Sequence, residues 1–219
     1  LDGVFNHVGR DFWAFRDLLA DPEGSRFADW FHIRRNEQSP YNDFFAYECW
    51  NGHYKLVKLN HGNPEVRSHL FEAVRSWIER FGISGLRIDA ADAIDKDFLG
   101  ALAEHCHQLK EDFWLLGEVI HGDYRLWANE KGLDSTTHYE AYKSLYSSHN
   151  DGNYFEIAYS LNRCFGPGGL SRHLSLQTFV DNHDVARIFN QLKHRAHLYP
   201  LHILLFTAFF TNGQGFATG

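Results

Sequence analysis

Carboxylates stand at the ends of three apolar runs: Asp89 in GLRIDAAD, Glu118 in WLLGEVIHGD, and Asp181 and Asp184 in TFVDNHD. A fourth run, LDGVFNH, delivers Asp2, Asn6 and His7. Arg87 and Asp89 are two apart on one expected strand and so share a face, while Leu86 and Ile88 point the other way, toward covering helices. A guanidinium within reach keeps a carboxylate ionised, which a nucleophile needs. Glu118 follows Trp114, Leu115 and Leu116, and partial burial there is expected to raise its pKa. One ionised and one protonated carboxyl form the pair that cleaves a glycosidic bond. A single Asp at a strand end can equally cap the next helix, so the weight lies in the set and in Arg87 beside it.

These groups need a scaffold, and the pattern supplies one. Leu1 to Phe5 reads as the end of a buried strand, followed by a long polar and aromatic connection, residues 8–63, broken by Gly9, Pro22, Gly24, Pro40 and Gly52. Connections of that length are usually functional. Asn63 and Pro64 then start a helix whose Leu70, Val74, Trp77, Ile78 and Phe81 recur at helical spacing until Gly82. Ile83 to Ile88 is expected as a strand, Lys96 to Lys110 as a helix with Phe98, Leu102, Cys106 and Leu109 on one face, and Phe113 to Leu116 as a strand. Residues 140–148 and 156–165 read as helices, Leu176 to Val180 as a strand, and Leu198 to Phe210 as a closing helix. Strand and helix alternate, which argues for an α/β fold of parallel strands covered by helices, an open sheet or a (β/α) barrel. In either, reactive groups gather beyond the C-terminal ends of the strands.

The chain has 219 residues, 44% hydrophobic and 22% charged, which places it in the soluble globular class. The net charge of -7 and scattered basic residues give no patch for nucleic acid. The apolar run Leu201 to Phe210 is too short for a membrane span. Three cysteines, Cys49, Cys106 and Cys164, make no disulfide framework and favour a reducing, cytoplasmic setting. The lack of methionine, and a first residue already inside a strand-like run, read as a piece cut from a longer chain. His105 and His107, two apart on a helix, do not face one another and form no metal pair, and GPGG at 166–169 lacks the residues of a phosphate loop and reads as a turn.

Taken in order, DGVFNH, GLRIDAADAI, LLGEVI and FVDNHD resemble the four conserved segments of the alpha-amylase family, glycoside hydrolase family 13. DWFHI and YKLVKLNHGNPEVR, with Leu59 and Asn60 in the family's extra segment, are most similar to the neopullulanase and cyclomaltodextrinase branch. The resemblance implies an incomplete (β/α)8 TIM barrel, from about the third strand to the helix after the seventh, with residues 8–63 as a domain-B-like insertion and residues 1–219 as part of one catalytic barrel. It implies a retaining hydrolase of alpha-linked glucose oligomers, with Asp89 as nucleophile, Glu118 as acid and base, and Asp184 stabilising the transition state. Arg87 would orient Asp89, His7 and His183 would bind the sugar, and Asp2 and Asn6 would support the site. Asp181 is expected to be structural.

Two positions depart from the family. Asp92 and Ala93 stand where many amylases carry a lysine and histidine that bind the leaving side, and Ile120 followed by His121 stands where the branch often has tryptophan. His121 remains a candidate substrate-binding residue. The end of the chain, TAFFTNGQGFATG, lacks the segment that leads into an eighth strand, so about five of eight strands are expected. No cofactor and no metal are expected. Calcium near the first segment, with Asn6 as an oxygen ligand, is a family habit without a dense carboxylate loop to support it here. The expected partner is an alpha-glucan oligosaccharide, and the branch also includes homodimers. Trp13, Phe44, Phe45, Tyr47, Trp50 and Tyr54 either stack on sugar faces or build the insertion's own small core. The competing readings are a non-catalytic remnant or weak glucan-binding module and a metal-dependent hydrolase using the histidines.

Overall fold

Asn63 does what its position before Pro64 requires: its Oδ1 accepts from the backbone N–H groups of Glu65 at 2.8 Å and Val66 at 3.3 Å, which fixes the start of a helix over Pro64–Phe81. Gly82 ends that helix in the left-handed region, φ 62°, where a side chain would be strained. The computed structural model describes residues 1–208 and the backbone of 216–218. The chain divides into two compact units, Leu1–Trp114 and Leu115–Gly219.

In the first unit the chain runs β1 (Asp2–Gly3), β2 (His7–Gly9), α1 (Trp13–Ala20), β3 (Ile33–Arg34), β4 (Ala46–Tyr47), β5 (Cys49–Trp50), β6 (His53–Lys58), α2 (Pro64–Phe81), β7 (Gly85–Ile88) and α3 (Lys96–Leu109). β1 and β7 are parallel neighbours with Asp2 opposite Arg87 and Gly3 opposite Ile88. Leu86 and Ile88 are buried as the alternation required, and Val66, Leu70 and Val74 of α2 and Phe98, Leu102 and Cys106 of α3 supply the helical faces of the core. The expected stripe on α2 runs out early, because Phe81 is exposed while Trp77 stacks on Phe5 at 6.2 Å. His105 and His107 hydrogen-bond the carbonyls of Phe71 and Phe113, which gives both a structural role. Gly85 is required by close approach: a Cβ there would lie 2.5 Å from the carbonyl oxygen of Trp114.

The segment 8–63 is more regular than a bare loop. β2, β6 and β5 form an antiparallel sheet, β3 pairs β4, and Phe15, Phe31, Phe45 and Tyr47 pack edge to face in its core. Strands of two or three residues are too short to leave a period in the sequence.

The second unit carries most of β8 (Trp114–Gly117), then β9 (Ser135–Thr137), α4 (Tyr139–Asp151), α5 (Phe155–Phe165), β10 (Ser175–Phe179), α6 (Ile188–Gln191), α7 (Leu198–Thr207) and β11 (Phe216–Thr218). Its sheet order is β8-β9-β10-β11, all parallel. Ala141, Leu145, Ile157, Val180, Ile188, Leu201 and Leu205 form one cluster beneath the helices. Two strands here correct the sequence reading. β9 is Ser-Thr-Thr, polar yet buried because it has a strand on either side, and β11 follows α7 where no further strand was expected. Phe209 and Phe210, expected to end the closing helix, lie outside the described residues. The GPGG turn is formed, with Gly169 N–H bonded to Gly166 O. Cys49, Cys106 and Cys164 are free. Among the described residues no helix is long and apolar enough to cross a membrane.

Candidate active site

Parallel register assembles the first group. With Asp2 opposite Arg87, the guanidinium reaches both Asp2 Oδ1 at 2.6 Å and Asp89 Oδ1 at 3.2 Å. The Asp89 N–H donates to Gly3 O at 3.0 Å, so the backbone at Asp89 is tied to β1 as well. Ala90 follows at φ 45°, a conformation costly for a residue with a Cβ, and it turns the chain out of the strand immediately after Asp89.

His7 is buried at the start of β2, and Asn6 Nδ2 lies 3.3 Å from its Nδ1. Burial lowers the His7 pKa, and the negative charge of Asp89 pulls it partly back, so His7 is held neutral near that carboxylate. Asn6 is fully buried, and its Oδ1 has no hydrogen-bond partner among the described residues. The Trp50 ring lies 5.6 Å from the His7 ring, and Trp50 also stacks on His53. Of the insertion's aromatics, Phe45 and Tyr47 are core, Tyr54 packs on Tyr47, and Trp13 joins Phe27, Trp30 and His69. Phe44 is exposed. Trp50 therefore stands out as the aromatic beside a candidate sugar-binding residue.

The second group is built around the Tyr139 hydroxyl. Glu118 is buried one residue beyond β8, and the next residue is pinned to β9: Val119 N–H donates to Thr137 Oγ1 at 2.9 Å, whose hydroxyl donates back to Val119 O at 3.1 Å. Tyr139, at the start of α4, donates its hydroxyl to Glu118 Oε1 at 3.2 Å and accepts from Asn182 Nδ2 at 3.0 Å. Burial, with added repulsion from the Glu118 and Asp184 charges, pushes the Tyr139 pKa up to about 12, so this hydroxyl keeps its proton. Asn182 Oδ1 in turn accepts from the N–H groups of Asp184 and Val185, at 2.9 and 3.2 Å, and shapes the turn that presents Asp184.

Asp184 is half exposed, with His183 Nε2 3.2 Å from its Oδ2. Asp181 is structural as expected: it pairs with Arg187 at 2.7 Å and accepts the Ile188 N–H at the start of α6. His121 is exposed on the loop after β8 and lines a cavity beside Tyr139. Within the first unit, then, Asp2, Arg87, Asp89, Asn6 and His7 come together; within the second, Glu118, Tyr139, Asn182 and Asp184. Tyr139 and Asn182 were not singled out from the sequence. Tyr139 follows the unrecognised β9, and Asn182 sits between residues whose charges drew attention first. Among the described residues no three His, Cys, Asp or Glu side chains form a metal-binding group.

The family described as "Alpha amylase, catalytic domain" matches residues 1–217. The cyclomaltodextrinase of Geobacillus thermopakistaniensis is 37% identical over 143 residues, which are 64% of this chain and 23% of that protein. Neopullulanase 2 of Thermoactinomyces vulgaris is 35% identical over 144 residues, again 64% and 23%. The ligand-free cyclic alpha-maltosyl-(1→6)-maltose hydrolase of Arthrobacter globiformis aligns with a TM-score of 0.84 at 26% identity, over 100% of this chain and 49% of that one. The chain thus spans about a quarter of those two curated relatives and about half of the solved enzyme. With its carboxylates at strand ends and the match extending over nearly its full length, the chain belongs to the alpha-amylase family, within the catalytic domain.

Proposed function

We propose that the whole protein is a retaining hydrolase of alpha-linked glucose oligomers, with Asp89 as nucleophile and Glu118 as acid and base. The observation that carries this reading is the Asp2–Arg87–Asp89 ion-paired group at the end of β7, in a chain matched by an alpha-amylase catalytic domain. Asp89 Oδ attacks the anomeric carbon, Glu118 gives its proton to the departing glycosidic oxygen, and a covalent glycosyl-enzyme forms. Water then attacks the same carbon, passes a proton to Glu118 and releases Asp89. In retaining enzymes the two carboxyl groups stand about 5 Å apart.

The surrounding residues fit these tasks. Arg87 holds Asp89 as an oriented anion, and Tyr139 offers Glu118 a partner that can donate to the carboxylate and rotate to accept from the acid. Asp184 adds negative charge for the oxocarbenium-like transition state. His7, His183 and Trp50 bind the sugar, Asn6 positions His7, and His121 contacts an adjoining unit. The segment 8–63 acts as a domain-B-like wall of the site in one partial barrel spanning 1–219. The reaction needs no cofactor. The free cysteines and the relative named intracellular maltogenic amylase, from Bacillus subtilis, favour a cytoplasmic protein, and the parent is read as a homodimer acting on glucan, with no nucleic acid or membrane partner.

The test is hydrolysis of 4-nitrophenyl alpha-maltoside, with NMR detection of the first anomer released. The alpha anomer is expected, and Asp89→Asn should lower turnover by roughly 10⁴-fold with an unchanged melting temperature, in line with loss of a reacting group. Full turnover in that variant, or release of the beta anomer, overturns the reading.

A further inference from the structure

A cavity of about 500 Å³ lies in the second unit between the loop after β8 and helices α4 and α5. Its size is that of a small-ligand site. Ile120, Tyr139, Tyr142 and Tyr159 wall it with apolar and aromatic surface. Tyr139 and Tyr142 are buried and braced against Phe179, whereas Tyr159 is exposed. One wall is thus packed against the core, and the Tyr159 ring stands exposed on α5.

The rim is charged but balanced. Arg163 pairs with Glu140 and Lys143 with Glu156, so the lining carries two cations and two carboxylates in pairs. Such a rim has no surplus cation to hold a phosphate or a carboxylate. It suits a neutral molecule with hydroxyls at its edge and apolar faces that stack on aromatic rings, and a sugar has that form. Tyr139 joins the cavity to the chemistry, since its ring lines the wall and its hydroxyl bonds Glu118.

We infer that this cavity binds a maltosyl-length segment of an alpha-glucan, with Tyr159 closing over the sugar from α5. The inference rests on the proposed reaction for the identity of the ligand. It makes Tyr159 and the two ion pairs determinants of chain-length preference.

Calorimetric titration of maltohexaose into the chain carrying Asp89→Asn, which stops turnover, tests it directly. Adding Tyr159→Ala is expected to raise Kd at least fivefold, while Tyr159→Phe, which keeps the ring, stays within twofold. In the enzyme with Asp89 intact, Tyr159→Ala should lower kcat/KM for maltohexaose at least fivefold more than for 4-nitrophenyl alpha-maltoside. Tyr159 is exposed, so neither change disturbs the core. Equal affinity for all three proteins, or an equal loss in both variants, overturns the inference. Absence of hydrolysis by the unsubstituted enzyme counts against the proposed reaction instead, and the titration still decides whether the cavity takes glucan.

Discussion

Asp89 and Glu118 are both carboxyls just beyond parallel strands, yet the structure shows each bonded to a different kind of group. Asp89 shares a guanidinium with Asp2, an arrangement of three charges, whereas Glu118 is buried against a tyrosine hydroxyl that is itself held by an amide. The difference follows the work proposed for each. A nucleophile must be aimed when substrate arrives, and a guanidinium bonded to its carboxylate fixes that aim. A group that gives up and regains a proton in each cycle is served by a hydroxyl, which donates to the carboxylate and accepts from the acid.

The comparison breaks most visibly at Arg87. Arg87→Ala leaves Asp2 and Asp89 without their shared cation, and kcat should fall about 10³-fold, comparable to loss of a strong electrostatic contact in a catalytic site. Arg87→Lys should recover part of this, because both carboxylate contacts run from Nη1 alone and an ammonium can take its place. Stopped-time assays of both variants check this, and a kcat for Arg87→Ala within tenfold of the unsubstituted enzyme contradicts the charge-held reading of Asp89.

The two units also differ in their buried histidines. His138 in the second unit is fully buried, and burial with the nearby Arg163 charge lowers its pKa to about 3. His7 and His61 in the first unit are lowered chiefly by burial, but each is drawn back by a carboxylate or carbonyl. A histidine depressed in the folded state stabilises fully above its unfolded pKa of 6.5 and progressively less as pH falls toward the folded value. For His138 the loss extends from pH 6.5 to about 3 and amounts to roughly 4 kcal/mol. Hydrogen exchange between pH 7 and 4 should show α4 and α5 losing protection before α2 and α3. The reverse order contradicts it.

How much of this was legible depends on what each residue leaves in the sequence. Asn63, Pro64 and Gly82 announce a helix because cap and stop chemistry is local. Asp89, Glu118 and Asp184 were readable as strand-end acids for the same reason. β9 was not, since Ser135, Thr136 and Thr137 carry no apolar alternation and are buried by strands on both sides that the local sequence does not reveal. Missing β9 hid Tyr139, which starts the helix after it.

A smaller effect tests the Glu118 side of the comparison. Tyr139→Phe removes a hydroxyl while keeping the ring that packs on Phe179, so kcat should fall about tenfold with little change in stability. Smallest of all, Trp50→Ala should raise KM about fivefold for maltohexaose and leave kcat within twofold, the mark of a residue that binds without entering the reaction. A fall in kcat alone assigns Trp50 to positioning His7.

The strand pairing that unites Asp2 with Arg87 also sets when the site can exist. That ion pair closes a loop of 85 residues, whereas Tyr139 meets Glu118 across only 21. Loop-closure entropy makes the longer contact costlier by about 1.2 kcal/mol, and contacts far apart in sequence form late. During synthesis the Asp2–Arg87–Asp89 group is completed only after the insertion and α2 have emerged and β7 has found β1. A nascent chain that has reached β7 but not docked it carries Arg87 beside Asp89 without the Asp2 carboxylate that fixes the guanidinium. Maturation of the ionic group is therefore a reporter of completed folding in the first unit.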